Sequence, residues 1–139
     1  MTSFTMNELQ LGQSASFTKT ITEKEVRLFA ELSGDSNPVH LDEGFAKTTI
    51  FKDRIAHGIL CGSLISTVLG MHLPGPGSIY LKQEFKFMAP VYFGDVLTAT
   101  CSVKEKMEEK NRVILDCKVI NQNEVVVISG EATIMPPKN

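Results

Sequence analysis

The sequence predicts an α+β domain in which an antiparallel sheet wraps around one long apolar helix. Two changes of pattern carry that prediction. Over residues 58–72, Ile59, Leu60, Leu64, Ile65, Val68, Leu69 and Met71 occupy nearly every face of a helix, with only small residues between them. A helix that is apolar all round belongs inside a protein. Beyond residue 78 the apolar period changes from helical to two, in four successive runs separated by short polar turns. With 139 residues the chain has the size of one ordinary domain, spanning residues 1–139, with one core and one site.

The elements follow in order. Residues 14–20 are rich in hydroxyl and apolar side chains and suit a first strand. Thr22 precedes Glu25 at capping-box spacing, and Val26, Phe29, Ala30 and Leu32 mark one face of a helix that stops near Gly34. Periodicity then fails over residues 35–56, where Pro38, Gly44 and many polar residues leave room for a helical turn or two within residues 41–48. So long a connection inside a small domain is usually functional or disordered. Val39, Phe45, Ile50, Phe51 and Ile55 argue against disorder. The central helix, about 22 Å long, is then ended by Leu-Pro-Gly-Pro-Gly.

In the second half, Ile79, Leu81, Phe85 and Phe87 alternate with Tyr80, Lys82, Glu84 and Lys86. Leu97, Ala99, Cys101 and Val103 alternate with Thr98, Thr100, Ser102 and Lys104, and two further runs cover residues 112–120 and 124–135. Four sequential strands, a possible fifth before them and one buried helix require a sheet that curls around the helix, which is the hot-dog fold.

Bulk properties exclude several functions. The net charge is -2 and no run of lysine or arginine could track a phosphate backbone, so nucleic acid is not an expected partner. No stretch approaches the roughly 20 apolar residues that span a bilayer, so no membrane association is expected. Cys61, Cys101 and Cys117 are odd in number, lack metal-type spacing and sit among apolar residues. With an N-terminal segment unlike a secretory signal, they point to a reduced, cytoplasmic protein.

Acid/base groups concentrate between residues 34 and 58. Asp35 and His40 lie five residues apart around Pro38, which forces extended or turn geometry on Asn37, so the two side chains are free to converge on one small molecule. An Asp after a helix-ending Gly, followed by Asn-Pro, is by itself often only a turn. Asp35, Asn37, Pro38, His40, Asp42, Ala46 and His57-Gly58 together, however, resemble the hydratase motif of the MaoC-like hydratases, and within them the (R)-specific enoyl-CoA hydratases. The similarity continues through residues 73–81 and 85–95, and so covers roughly residues 15–135. Arg54 departs from it, standing where many members have proline before Ile-Ala-His-Gly.

The resemblance implies a coenzyme-A-linked enoyl substrate, with Asp35 and His40 holding one water between them for reversible hydration to an (R)-3-hydroxyacyl thioester. Hydration needs proton transfer to and from the reactants and stabilisation of an enolate-like oxygen. Gly58 supplies the last from its backbone N–H, at the start of the central helix where the first amides lack partners. Ser66, matching a serine that lines the acyl pocket, and Asn37 and His57 are the expected substrate-side residues. His57 reads chiefly as a residue that fixes the loop, Ser66 equally as one bonded back to the Gly62 carbonyl, and Cys61 as core packing. No metal and no organic cofactor is required. A homodimer is implied, pairing open sheet edges across protomers. Dehydration of an acyl carrier protein substrate is the nearest alternative; a thioesterase and a non-catalytic acyl-CoA-binding domain are more distant ones.

Overall fold

The computed structural model describes residues 2–138. Strand β1 (Ser14–Thr20) leads into α1 (Glu23–Ser33), which begins with a reciprocal capping box between Thr22 and Glu25 and ends at Gly34 in the left-handed conformation. Two single-turn helices, α2 (Pro38–Leu41) and α3 (Glu43–Ala46), occupy the aperiodic segment. Helix α4 (Gly58–Met71) follows, and five strands complete the fold: β2 (Ile79–Gln83), β3 (Lys86–Phe87), β4 (Val96–Met107), β5 (Arg112–Ile120) and β6 (Val126–Met135).

All six strands form one antiparallel sheet in the order β1-β4-β5-β6-β2, with β3 also pairing β6. The strand expected at the N-terminus therefore exists and lies at one edge, Ser14 opposite Ser102 and Thr20 opposite Val96. Alternation in β4 and β5 follows from burial of one sheet face: Leu97, Ala99, Cys101, Val103, Val113, Leu115, Cys117 and Val119 point into the core, with Ile65, Val68 and Leu69 of α4 against them. These side chains exclude water over one continuous cluster, and each fully buried aliphatic contributes about 1.5–3 kcal/mol relative to an exposed one.

Two expectations need correction. The alternating run at residues 79–87 is two strands, with a register shift between Tyr80 and Lys82 and a break before Lys86. At the break the Glu84 N–H donates to the Glu131 carbonyl (2.9 Å), and the Glu84 backbone passes so close to Gly130 that a Cβ there would meet the Glu84 carbonyl oxygen. Its alternating apolar residues are also not buried, since Ile79, Leu81 and Phe87 are 52%, 43% and 54% exposed. The second correction concerns α4. The sheet covers one side of this helix, and the stripe Ile59, Ser63, Ser66 and Gly70 remains exposed. Three of those four are small, so the sequence pattern of an all-apolar helix was carried mainly by the covered side.

Candidate active site

The aperiodic segment is held by a small set of backbone and side-chain bonds. Asn37 caps α2, its Oδ1 accepting from the Val39 N–H (3.2 Å), and Asp42 caps α3 by accepting from the Phe45 N–H (3.1 Å). Pro38 occupies the first turn of α2, where a missing N–H costs nothing. Farther on, the Ala56 N–H donates to the Val91 carbonyl (2.8 Å) and the Tyr92 hydroxyl to the Phe51 carbonyl (2.9 Å), which ties the segment to the chain that leads into β4. Arg54 extends a two-pronged contact to Glu23 of α1 (3.1 and 3.4 Å) and lies over the Phe93 ring, 4.9 Å from its centroid. At the position where proline was expected, the loop path is thus fixed by a guanidinium instead.

This scaffold brings Asp35, His40 and His57 together. One carboxylate oxygen of Asp35 and one ring nitrogen of each histidine lie within 4.8 Å of one another. His40 is buried, and its Nδ1 lies 2.7 Å from the Ile55 carbonyl. A carbonyl only accepts, so Nδ1 carries the proton and Nε2 of the neutral ring keeps a free lone pair. Burial pushes the His40 pKa below the ordinary histidine value of 6.5, and His57 adds to that; the Ile55 bond and the Asp35 carboxylate oppose it. The ring is accordingly a neutral base near pH 7.

His57 is 2% exposed and stacks on His40 with ring centroids 3.8 Å apart. Its Nε2 donates to the Asp35 backbone carbonyl (2.9 Å), anchoring the residue that presents the carboxylate, while its Nδ1 has no partner among the described residues. Asp35 itself is exposed, with Oδ1 accepting from the Asn37 N–H (3.2 Å). Three such ligand atoms invite comparison with a metal site. His40 Nδ1 is engaged by the Ile55 carbonyl and His57 Nε2 by the Asp35 carbonyl, so only the other nitrogen of each ring would be left for an ion.

His40 and Gly58 both line an apolar cavity of about 440 Å³, walled by Phe51, Ile55, Ile59, Phe87, Met88 and Val91 among others. That is the size and character of a small-molecule site. Gly58 is the first residue of α4, and its N–H has no acceptor among the described residues. The Phe87 ring lies directly on it: a Cβ at Gly58 would sit 2.6 Å from a Phe87 ring carbon. Cys61 also borders the cavity, but burial raises its thiol pKa to about 12, so it packs as an apolar side chain.

A family model described as a MaoC like domain matches residues 7–125. The chain belongs to the MaoC-like family. An (R)-specific enoyl-CoA hydratase of Rhodospirillum rubrum is 52% identical over 94% of this chain and 90% of its own. A 3-hydroxybutyryl-CoA dehydratase of Methylorubrum extorquens is 43% identical over 94% of this chain and 83% of its own. Among solved structures, an unliganded R-hydratase of Pseudomonas aeruginosa superimposes with a TM-score of 0.93 at 49% identity, covering 99% of this chain and 88% of that one. The hot-dog architecture of this MaoC-like domain is therefore shared along nearly its full length.

Within the MaoC-like site, the residues singled out from sequence fall into three groups. His40 and Gly58 line the cavity, and the Asp35 carboxylate lies beside His40. Asn37 and His57 hold that group in place, the first as a helix cap and the second through the Asp35 carbonyl. Ser66 does not line this cavity; it faces a neighbouring groove beside Tyr80 and Phe85, with no bond to the Gly62 carbonyl. The sequence pattern passed over Phe87 and Met88, because both look like ordinary strand residues. The exposure of Phe87 in β3 and of Met88 just beyond it is a signal only the structure supplies.

Proposed function

We propose that this protein is an (R)-specific enoyl-CoA hydratase, a hydro-lyase that adds water reversibly to the double bond of a 2-enoyl-CoA. The observation that carries the reading is the free Nε2 of a neutral, buried His40 beside the Asp35 carboxylate, in an apolar cavity that His40 lines together with Gly58. The enoyl chain enters the cavity and the thioester oxygen docks on the Gly58 N–H, where the helix dipole favours negative charge. One water bridges Asp35 and His40. His40 Nε2 takes a proton from it as the oxygen adds to Cβ, and the electron pair of the double bond moves onto the thioester as an enolate. The Asp35/His40 pair then hands a proton to Cα, so both groups end as they began and the thioester stays intact.

Names borne by the relatives support this substrate, since the 52% identical protein is an (R)-specific enoyl-CoA hydratase and the 43% identical one acts on a CoA thioester. A two-copy assembly fits the exposed apolar residues Ile79, Tyr80 and Leu81 on the open β2 edge, which a second copy would cover. No helix is long and apolar enough to cross a membrane, and a cytoplasmic setting fits three free, buried cysteines. The test is incubation with crotonyl-CoA. The reading requires loss of the enoyl absorbance with no free thiol released, and chiral analysis giving the (R)-3-hydroxy product. Release of thiol would mark a thioesterase, and a preference for the carrier-protein thioester would mark a dehydratase of fatty-acid synthesis.

A further inference from the structure

We propose that Cys101 and Cys117 form an oxidation site, in which a peroxide converts two adjacent core thiols into a disulfide that joins β4 to β5. The hydration chemistry uses neither residue. They stand directly opposite each other in the β4–β5 register, and both side chains point into the core. Residues so placed are about 4.5–5.5 Å apart at Cα, inside the roughly 4.4–6.8 Å span of disulfides. Their sulfurs are already in contact at 3.7 Å. Closing them to a bond of about 2 Å asks for small rotations of two short side chains rather than for movement of a strand.

The two thiols are not equivalent. The Cys101 S–H donates to the Cys117 sulfur, which pulls the Cys117 pKa below the ordinary thiol value and pushes that of Cys101 above it. The Gln83 amide beside Cys117 acts in the same direction. Cys117 therefore supplies the attacking thiolate. It also lies nearer to solvent, at 3% exposed against 0% for Cys101. Gln83 and Tyr80, bonded to each other, line a surface groove of about 450 Å³. In β6 the partner of Cys117 is Gly130, at the break between β2 and β3. Those two edge strands have only five and two residues, and such an edge opens locally at lower cost than the long pairing of β4 with β5. Hydrogen peroxide is small enough to enter by that opening. Cys117 Sγ attacks one peroxide oxygen and breaks the O–O bond, giving a sulfenic acid, while the thiol proton leaves with the other oxygen as water. Cys101 Sγ then attacks the Cys117 sulfur and expels the hydroxyl, which leaves with the Cys101 proton as a second water. The two thiols lose two electrons and two protons, and one peroxide becomes two waters.

The experiment treats the folded protein with hydrogen peroxide at neutral pH and maps its peptides by mass spectrometry without reduction. The same treatment is applied in urea and to Cys61→Ala, Cys101→Val and Cys117→Val. The folded protein should lose two hydrogens and give one linked pair, Cys101 with Cys117, which dithiothreitol reopens and which forms equally in Cys61→Ala. Because the bond closes a loop between positions 16 apart, Tm should rise by several degrees and return on reduction. In Cys101→Val the reaction should stop at a Cys117 sulfenic acid that dimedone labels, whereas Cys117→Val should leave Cys101 unlabelled. Valine suits an aliphatic core, and if either variant fails to fold, the map of the unaltered protein decides alone. Three thiols that survive in the folded protein a dose that oxidises them in urea would overturn the proposal. So would a bond that involves Cys61 or joins two molecules, or dimedone on Cys101 in the Cys117→Val variant.

Discussion

At the scale of single residues, the proposed chemistry depends on which nitrogen of His40 is free. The Ile55 carbonyl fixes the proton on Nδ1 and burial keeps the ring neutral. Protonation of Nε2 removes the base, so kcat/KM should fall as pH drops through a pKa below 6.5, and the acid limb of a pH profile should disappear in His40→Ala. The same shift bears on stability. A folded-state pKa below the unfolded value means that the unfolded chain takes up the proton first, so this contribution is present above the ordinary histidine pKa and lost as pH falls through the folded one. Thermal melts of the unaltered protein and His40→Gln should therefore converge under mildly acidic conditions. Cys61 gives a separate check. With its thiol raised to about 12, it should resist alkylation by iodoacetamide at neutral pH in the folded protein and react once the protein is unfolded, as read by mass spectrometry. Asp35, His40 and Gly58 could be picked out in the sequence as candidates because they stand close together where the acid/base groups concentrate. Phe87 could not, since nothing in an alternating strand distinguishes a ring that faces a cavity from one that faces the core.

Among the elements, the loop over residues 47–57 and the β2–β3 edge decide the shape of the site. Arg54 joins that loop to α1 through Glu23 and to Phe93 through its flat guanidinium, while its Nε is buried without a partner. The ion pair is half exposed and contributes little alone, and the cation–π contact adds about 0.5–1 kcal/mol. Arg54→Ala should lower stability by roughly 1 kcal/mol, a fall of a few degrees in Tm, with KM changing more than kcat because the loop carries cavity walls. Gly130→Ala is expected to be far more severe. Its Cβ would meet backbone, which cannot turn aside as a side chain can, and a cost on the order of 3 kcal/mol or more should appear as aggregation or a broad, lowered melt. Boundaries of α1 and α4 followed from a capping box, a left-handed glycine and a proline-rich stop, all local signals. The break between β2 and β3 was hidden because its cause, the passage of Glu84 over Gly130, joins residues 46 positions apart that no local pattern relates.

For the whole molecule, the fold presents the start of α4 to an apolar cavity and leaves the β2 sheet edge and one stripe of α4 exposed. Hydropathy foretold the layers, since the change of period from helix to strand is dictated by which faces meet the core. It could not foretell that α4 would be covered on one side only, because small residues such as Ser63, Ser66 and Gly70 suit close packing and exposure equally well. If a second copy covers the β2 edge, Ile79→Lys should shift sedimentation from two copies toward one at micromolar concentration, by placing a charge where exposed apolar surface is now 52% accessible. The most direct test of the central claim is single-turnover hydration of crotonyl-CoA by the unaltered protein, Asp35→Asn and His40→Ala, with melting temperatures measured in parallel. Each substitution should reduce the rate by about 10²- to 10⁴-fold at nearly unchanged Tm. Hydration that survives in both well-folded variants would contradict the assignment of these two side chains to one water.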